Sequence, residues 1–245
     1  MDRMIYVAMS GAQQTMRALQ TTSNNLANVN TTGFRADLDH FQSLPVSGGA
    51  SVSRTYVTAE SSGPDFRHGG LITTGRDLDV AVDGDGFFAV LSPTGREAYT
   101  RAGDLHVDTN GFLVNGSGYQ MLGNGGPMAL PPFEKIEIAS DGTISVRPVG
   151  ATAEELVVID RLKLVRPDLA QLTKGEDGLF SLGGQDSSAD ASVHVVSGAV
   201  EGSNVNAVEA LVKMVSLSRQ FEAQVKMMRA ADDNAEHAQQ LLSNS

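Results

Sequence analysis

Asn206-Ala207-Val208-Glu209-Ala210-Leu211-Val212-Lys213-Met214-Val215-Ser216-Leu217-Ser218-Arg219-Gln220-Phe221 opens a run, 204–242, that contains neither Gly nor Pro. Apolar or small residues recur along it at Ala207, Ala210, Met214, Leu217, Phe221, Met228, Ala231, Ala235, Ala238 and Leu242, with Gln224 in the same series. The steps alternate between three and four residues, the period of a heptad seam. Asn206 with Glu209 three residues on fits a capping box at the start of the helix. A second apolar line, Val208, Leu211, Val215 and Val225, runs beside the seam. A helix sticky over two stripes suits several neighbours better than one, although an ordinary amphipathic helix on its own domain gives a similar pattern.

The other end of the chain mirrors this. Ile5, Met9, Ala12, Met16, Leu19 and Leu26, with Ser23 in series, again alternate by four and three and predict a helix over 3–28. At 1.5 Å per residue it would be about 39 Å long. The Asn-rich run from Asn24 to Asn30 weakens helix propensity, and Thr31-Thr32-Gly33 ends it, with Gly33 able to adopt positive φ. Asn24, Asn25 and Asn28 are expected to make polar contacts at that end; helix termination alone would also explain them.

Between the ends lie all eight prolines and 25 of the 26 glycines of this 245-residue chain. Strand-like stretches alternate with tight turns: Leu78–Val82, Phe87–Leu91, Ala98–Arg101, Leu105–Val107, Phe112–Val114, Tyr119–Leu122, Ile136–Ile138 and Thr143–Val146, with a longer strand over Leu156–Val165. Residues 183–192 read as loop. The fold class expected is α+β: long N- and C-terminal helices forming a coiled-coil-like pair, with a central antiparallel β-rich domain. The boundaries expected are 1–34 for the first helix, 35–75 for an extended polar connector, 76–202 for the β domain and 203–245 for the last helix.

Charge is distributed unevenly. The net charge is −11, and residues 37–203 carry almost all the acidity while both ends are near neutral. No basic patch or aromatic-interleaved basic stripe is present, which argues against nucleic-acid binding. There is no cysteine, so no disulfide, thiol nucleophile or thiolate metal site. No apolar run is long enough to cross a membrane. The run Met4–Met9 is too short for a signal-peptide core, so the expectation is a cytoplasmic protein or one exported without cleavage.

Catalytic and cofactor chemistry finds little support. Gly84-Asp85-Gly86-Phe87-Phe88-Ala89 fits G-x-G-x-x-A, but Phe87 onward reads as a strand stopped at Pro93, not the helix a dinucleotide site needs. Asp83 and Asp85 begin a calcium-loop pattern that fails at Phe87. His40, His68, His106, His194 and His237 lack metal-ligand spacing, and there is no nucleophile elbow or P-loop. No catalytic, cofactor-binding or metal-binding residue is assigned, no cofactor is expected, and the chain is read as not an enzyme. Arg101, a lone Arg in a strand, is expected either to pair with an acid of the β domain or to face water.

Three stretches together carry a resemblance. They are Ser23–Arg35, Leu78–Phe88 with Tyr99–Gly103 and Asp108–Val114, and Glu201–Val205 leading into the helix with Phe221-Glu222-Ala223. In this order they are similar to the N-terminal, central and C-terminal signatures of the flagellar basal-body rod family, and the opening residues Met1–Ala12 resemble its proximal-rod members. Asp104 and Ser23 depart mildly from the family pattern.

The resemblance implies a structural subunit of the proximal rod, exported by the flagellar type III apparatus without cleavage and placed in the periplasmic part of the basal body. Its helices would order on assembly into a tube around the export channel. Its implied partners are itself, its proximal-rod neighbours, the distal rod and the export apparatus. The assembly interface expected is Ile5, Met9, Ala12, Met16, Leu19, Asn24, Asn25, Leu26 and Asn28, with Met214, Leu217, Phe221, Met228 and Leu242. Alternatives are a distal rod subunit and, in another class, an enzyme acting on cell wall through carboxylates of the β domain.

Overall fold

The computed structural model describes residues 2–45, 55–150 and 156–243, with side chains placed except at 2–4, 40–45, 55–62, 235–239 and 241–243. The chain forms two compact units.

The helical unit comprises Met1–Asn28, Asp37–Pro64 and Val205–Ser245. Helix α1 (Asp2–Ala27) and helix α2 (Ala207–Ser243) pack on one another. Asn206 caps α2 as its sequence position suggests: its Oδ1 accepts from Val208 N at 3.0 Å and Glu209 N at 3.3 Å. Strands β1 (Asp37–Pro45) and β2 (Thr55–Pro64) pair antiparallel and pack against α1. The stretch expected to be an extended connector therefore contributes a hairpin to this unit. These strands are polar and lack a clean apolar alternation, so a hydrophobicity reading does not mark them.

The β unit comprises Val29–Ala36 and Asp65–Asn204. It begins with β3 (Leu71–Thr73), β4 (Val80–Asp83), β5 (Phe87–Leu91) and β6 (Glu97–Thr100). Next come β7 (Leu105–Val107), β8 (Leu113–Asn115), β9 (Gln120–Gly123) and β10 (Gly126–Pro127). After these lie β11 (Phe133–Ile138), β12 (Thr143–Pro148), β13 (Val157–Arg161) and β14 (Leu164–Val165). It ends with β15 (Thr173–Lys174), β16 (Phe180–Ser181), β17 (His194–Ser197) and β18 (Ala199–Glu201). The largest sheet runs β15-β16-β6-β5-β9-β8-β7, with β10 and β14 attached. A second runs β11-β12-β13, and β17 pairs β4 while β18 pairs β3, all antiparallel.

The long strand expected over Leu156–Val165 is broken. β13 joins β12, whereas β14 joins β5, because Leu162 and Leu164 turn into the core and are buried. One apolar cluster gathers Val80, Val82, Phe88, Val90, Leu105, Leu113, Met121, Ile144 and Leu164, among others. A smaller one gathers Phe87, Tyr99, Val165, Leu172 and Phe180, with Phe66 edge-on to Phe87. Burying each such side chain contributes about 1.5–3 kcal/mol. Residues 29–36 and 65–75 belong to this unit, so it is wider than the 76–202 expected from strand patterns.

Candidate functional site

The helical unit shows which face of each helix is occupied within the chain. On α2, Ala210, Leu217, Gln224 and Ala231 are buried at intervals of one heptad, and Ala207, Met214, Phe221 and Met228 beside them are half-buried. Most of the second apolar line is not covered: Val208 is 70% exposed and Leu211 and Val215 are exposed with it, as is Val212 beside them at 66%, while Val225 is half-buried. Leu211, Val212, Val215, Ser216 and Arg219 line a shallow groove there.

On α1 the buried residues are Ala8, Ala12, Gln14, Thr15, Ala18 and Thr22. This is a stripe of mostly small residues that allows close helix approach. Gly11 belongs to it: a Cβ there would stand 2.9 Å from Gln224 Nε2. The Thr15 hydroxyl lies 3.1 Å from Gln224 Oε1 and 2.9 Å from the Gly11 carbonyl. Met9 and Met16, placed on the seam by their spacing, are 52% and 45% exposed. Ile5, Leu19 and Leu26 are half-buried, and only Ala12 of the expected α1 residues is fully buried. The side chain of Leu242 lies outside the described residues.

Of the three asparagines, Asn25 makes the most specific contact. Its Nδ2 donates to Asp37 O and its Oδ1 accepts from Asp37 N, both at 2.9 Å, so one amide pins the start of β1. Asn28 donates from N and Nδ2 to Asn24 O, satisfying a helix-end carbonyl. Asn24 itself is exposed.

In the β unit the three signature stretches meet at one buried cluster. Glu201, the last residue of β18, accepts from Arg101 Nε at 2.6 Å and faces Arg35 Nη1 at 2.7 Å. The Glu201, Arg35 and Arg101 side chains are at most 3% exposed. Gly69 N donates to Glu201 Oε1 at 2.8 Å, and Gly33 N donates to the Glu201 carbonyl at 2.7 Å. Arg101 also donates to the Gly84 and Gly86 carbonyls at 2.8 and 2.6 Å. Its Nη2 lies 3.1 Å from His68 Nδ1. Because a guanidinium only donates, that His68 nitrogen accepts, which leaves the ring proton on Nε2, 3.3 Å from Asp85. Asp85 in turn meets Arg166 at 2.9 Å, so one of the two acids with a calcium-like pattern is taken up by ion pairs.

Electrostatics and backbone fit hold the cluster together. Burial pushes the Glu201 pKa up, but the Arg101 and Arg35 charges and the hydrogen bonds from Arg35 and Gly69 outweigh it and leave the carboxyl below its usual range. Burial lowers the Arg101 pKa, partly offset by Glu201. Gly33 has φ of +66°, and a Cβ there would come within 2.3 Å of the Arg101 carbonyl carbon, so only glycine lets the N-terminal stretch lie here. Phe34 stacks under Lys174 Nζ, 4.2 Å from its ring centre, and Arg35 O accepts from Lys174 at 2.8 Å. Asn204 closes the other side: Ala36 N donates to its Oδ1 at 2.8 Å, and its Nδ2 donates to Asp65 O and Arg67 O.

Gly33–Arg35, Tyr99–Gly103 and Glu201–Asn204 thus converge, and known families match the stretches around them. Residues 5–35 match the family described as flagella basal body rod protein. Residues 81–146 match the flagellar hook protein FlgE/F/G D1 domain, and 196–241 the flagellar basal body rod FlgEFG protein C-terminal family. The chain is 42% identical over 252 aligned residues to the flagellar basal-body rod protein FlgF of Escherichia coli (strain K12), covering 100% of both chains. It is 40% identical to the protein of the same name from Salmonella typhimurium, again over 100% of both. The chain belongs to the flagellar basal-body rod protein family. Among more distant members, it is 30% identical to the rod protein FlgG of Bacillus subtilis (strain 168), covering 95% of this chain and 96% of that one.

For this rod-family chain, the sequence showed each stretch but not their meeting. Arg101 does pair with an acid, Glu201, which lies a hundred residues away. Arg35 and Glu201 were visible only as single charges among Gly, Thr and Val. A charge in such surroundings signals a buried partner but does not say which one. The Gly84–Ala89 stretch is a turn leading into strand β5, without the helix N-terminus that a dinucleotide phosphate would need. No group of three or more His, Cys, Asp or Glu able to hold a metal occurs among the described residues, and none of their helices is long and apolar enough to cross a membrane.

Proposed function

We propose that the chain is a structural, non-enzymatic subunit of the flagellar rod, in its proximal part, and that it polymerises through its two terminal helices. The full-length likeness to proteins named FlgF at 40–42% identity carries this reading. The helical surface supports it. Val208, Leu211, Val212 and Val215 on α2, and Tyr6, Val7, Met9 and Met16 on α1, are large apolar side chains left in water. Such rows repay the cost of ordering two long helices only when other subunits cover them.

In this reading the heptad seam of α2 pairs with α1 in a coiled-coil manner, while the uncovered rows meet neighbouring axial subunits around the export channel. The near-neutral ends let many copies pack without mutual repulsion. Export occurs through the type III apparatus without cleavage, and the rod lies in the periplasm. The partners are further copies of this chain and other rod proteins.

Electron microscopy of basal bodies from a deletion strain tests the reading. Loss of the whole rod supports a proximal subunit. A truncated rod assigns the chain to the distal part, and normal swimming of the deletion strain removes any rod role.

A further inference from the structure

Asn-Gly occurs three times in the β unit, at Asn110-Gly111, Asn115-Gly116 and Asn124-Gly125. An asparagine before glycine carries its own nucleophile. The backbone nitrogen of the next residue can attack the side-chain amide carbon, and glycine puts no side chain in the way. The attack needs that nitrogen free of firm hydrogen bonds, an untethered Asn side chain and a backbone able to rotate. The fold treats the three sites differently.

At Asn110 the turn is tied from every side. Asp108 Oδ1 accepts from Asn110 N at 2.8 Å, Asp108 Oδ2 from Asn110 Nδ2 at 3.3 Å, and Gly111 N donates to Asp108 O at 3.1 Å. Asn115 is 1% exposed, and its Oδ1 accepts from Ser117 N at 3.2 Å and Tyr119 N at 2.9 Å. Gly116 after it donates its N–H to the Asp104 carboxylate. Either site must unfold locally before it can react.

Asn124 and Gly125 form the two-residue loop of the β9–β10 hairpin, in which Gly126 pairs with Gly123 and Pro127 with Leu122. Both loop residues are exposed. Among the described residues, no hydrogen bond holds the Asn124 side chain. Gly125 N has one acceptor among them, Asp160 Oδ2 at 3.4 Å, at the long limit for a hydrogen bond. The space around Gly125 is open: a Cβ there would meet only Asp160 Oδ2, at 3.8 Å.

We propose that Asn124 is the site at which this protein deamidates spontaneously, with the Gly125 nitrogen as internal nucleophile and water as co-reactant. A bond forms between Gly125 N and Asn124 Cγ as the Cγ–Nδ2 bond breaks, and Nδ2 leaves as ammonia with the proton from Gly125 N. Water then opens the cyclic imide. Cleavage at Cγ gives aspartate, and cleavage at the backbone carbonyl gives isoaspartate, whose main chain is one methylene longer. Nothing is oxidised or reduced. Either product disturbs the hairpin: a carboxylate joins the loop that Asp160 already contacts, and a two-residue loop has no slack for an extra methylene.

The test is prolonged incubation of the full chain at mildly alkaline pH, folded and in urea. Trypsin digestion and fragmentation mass spectrometry of peptide 102–135, which carries all three asparagines, then locate the change. In the folded chain, aspartate and isoaspartate should form at 124 roughly tenfold or more faster than at 110 or 115. In urea the three rates should converge, because only the fold separates them. Gly125→Ala, which the open space accommodates, should slow the reaction at 124 severalfold by crowding the attacking nitrogen. Equal rates at the three sites in the folded chain, a lead for 110 or 115, no conversion at 124 while the chain in urea reacts, or an undiminished rate in Gly125→Ala would overturn the proposal.

Discussion

Glu201 and Arg35 stand 2.7 Å apart with side chains 2% and 1% exposed, joining the segment after the first helix to the segment before the last. Arg101 completes the cluster from the middle of the chain, 2.6 Å from the same carboxylate. Desolvating these charges is costly, so the cluster contributes little net stability as a whole, but removing one member strands the others.

Replacing Glu201 with Ala should therefore destabilise the β unit by about 3–5 kcal/mol, because two buried guanidinium groups lose their shared counter-charge. Replacing Arg35 with Met should cost less, since Arg101 still neutralises Glu201. Urea unfolding monitored by Tyr fluorescence measures both. Equal losses would show that Arg101 alone does not neutralise Glu201.

The same carboxylate sets an acid limit. Its folded-state pKa is depressed below the ordinary value of 4.5, despite the opposing effect of burial. A carboxylate with a depressed pKa contributes its stability in full above the unfolded value and loses it as pH falls through the folded one. Stability should hold from neutral pH down to about the ordinary value and then decline. Asp65, lowered by its hydrogen bond to Arg67, adds a slope of the same sign. Thermal melts across acid pH should show a shallower decline in Glu201→Gln than in the parent chain.

Gly33→Ala tests the fit of the N-terminal stretch. The left-handed backbone and the contact with the Arg101 carbonyl carbon together should cost about 2–4 kcal/mol. A change within about 0.5 kcal/mol would show that residues 29–36 lie elsewhere in solution.

Truncation probes the same cluster. A fragment 29–204 keeps every segment of the β unit and should unfold cooperatively. A fragment 65–204 lacks Arg35 and the Gly33 N–H bond to Glu201 and should be less stable by about 2–4 kcal/mol. Calorimetry of the two fragments makes the comparison. Equal stabilities would mean that the N-terminal stretch is a passive passenger.

On the helices, the exposed and buried rows should separate by phenotype. Val212→Glu and Met16→Glu should change monomer stability by no more than about 0.5 kcal/mol, yet abolish swimming. Leu217→Ala, on the buried seam, should instead cost about 2–4 kcal/mol of the helical unit. Circular-dichroism melts beside a motility assay distinguish the two classes. Full motility in Val212→Glu would mean that this row is not an assembly surface.

Much of this protein was legible as a string. The α2 seam needed only its alternation of three and four, and the burial of Ala210, Leu217, Gln224 and Ala231 keeps that period. The α1 seam was harder. Its large residues Met9 and Met16 suggest one face, but the buried face is the small-residue stripe through Ala8, Thr15, Ala18 and Thr22. Side-chain size marks a sticky surface and does not say whether the chain itself or another molecule covers it. The β1–β2 hairpin escaped notice because its strands show no clear apolar alternation, and a backbone ladder leaves no mark of its own on the sequence.

Period, turn chemistry and charge are local properties, so the sequence by itself determined two helical ends almost free of breakers, a turn-rich β middle, and the three signatures that place the chain among rod proteins. Which residues lie together depends on how those elements close on one another, and that only the tertiary structure decided. It brought Arg35, Arg101 and Glu201 into one buried cluster and set the start of the β unit at residue 29, where Gly33 allows the backbone to approach Arg101. It also divided the apolar surface of each helix into a covered face and an open one. The physical reason is that burial and ion pairing are properties of spatial neighbours, and these neighbours lie far apart along the chain.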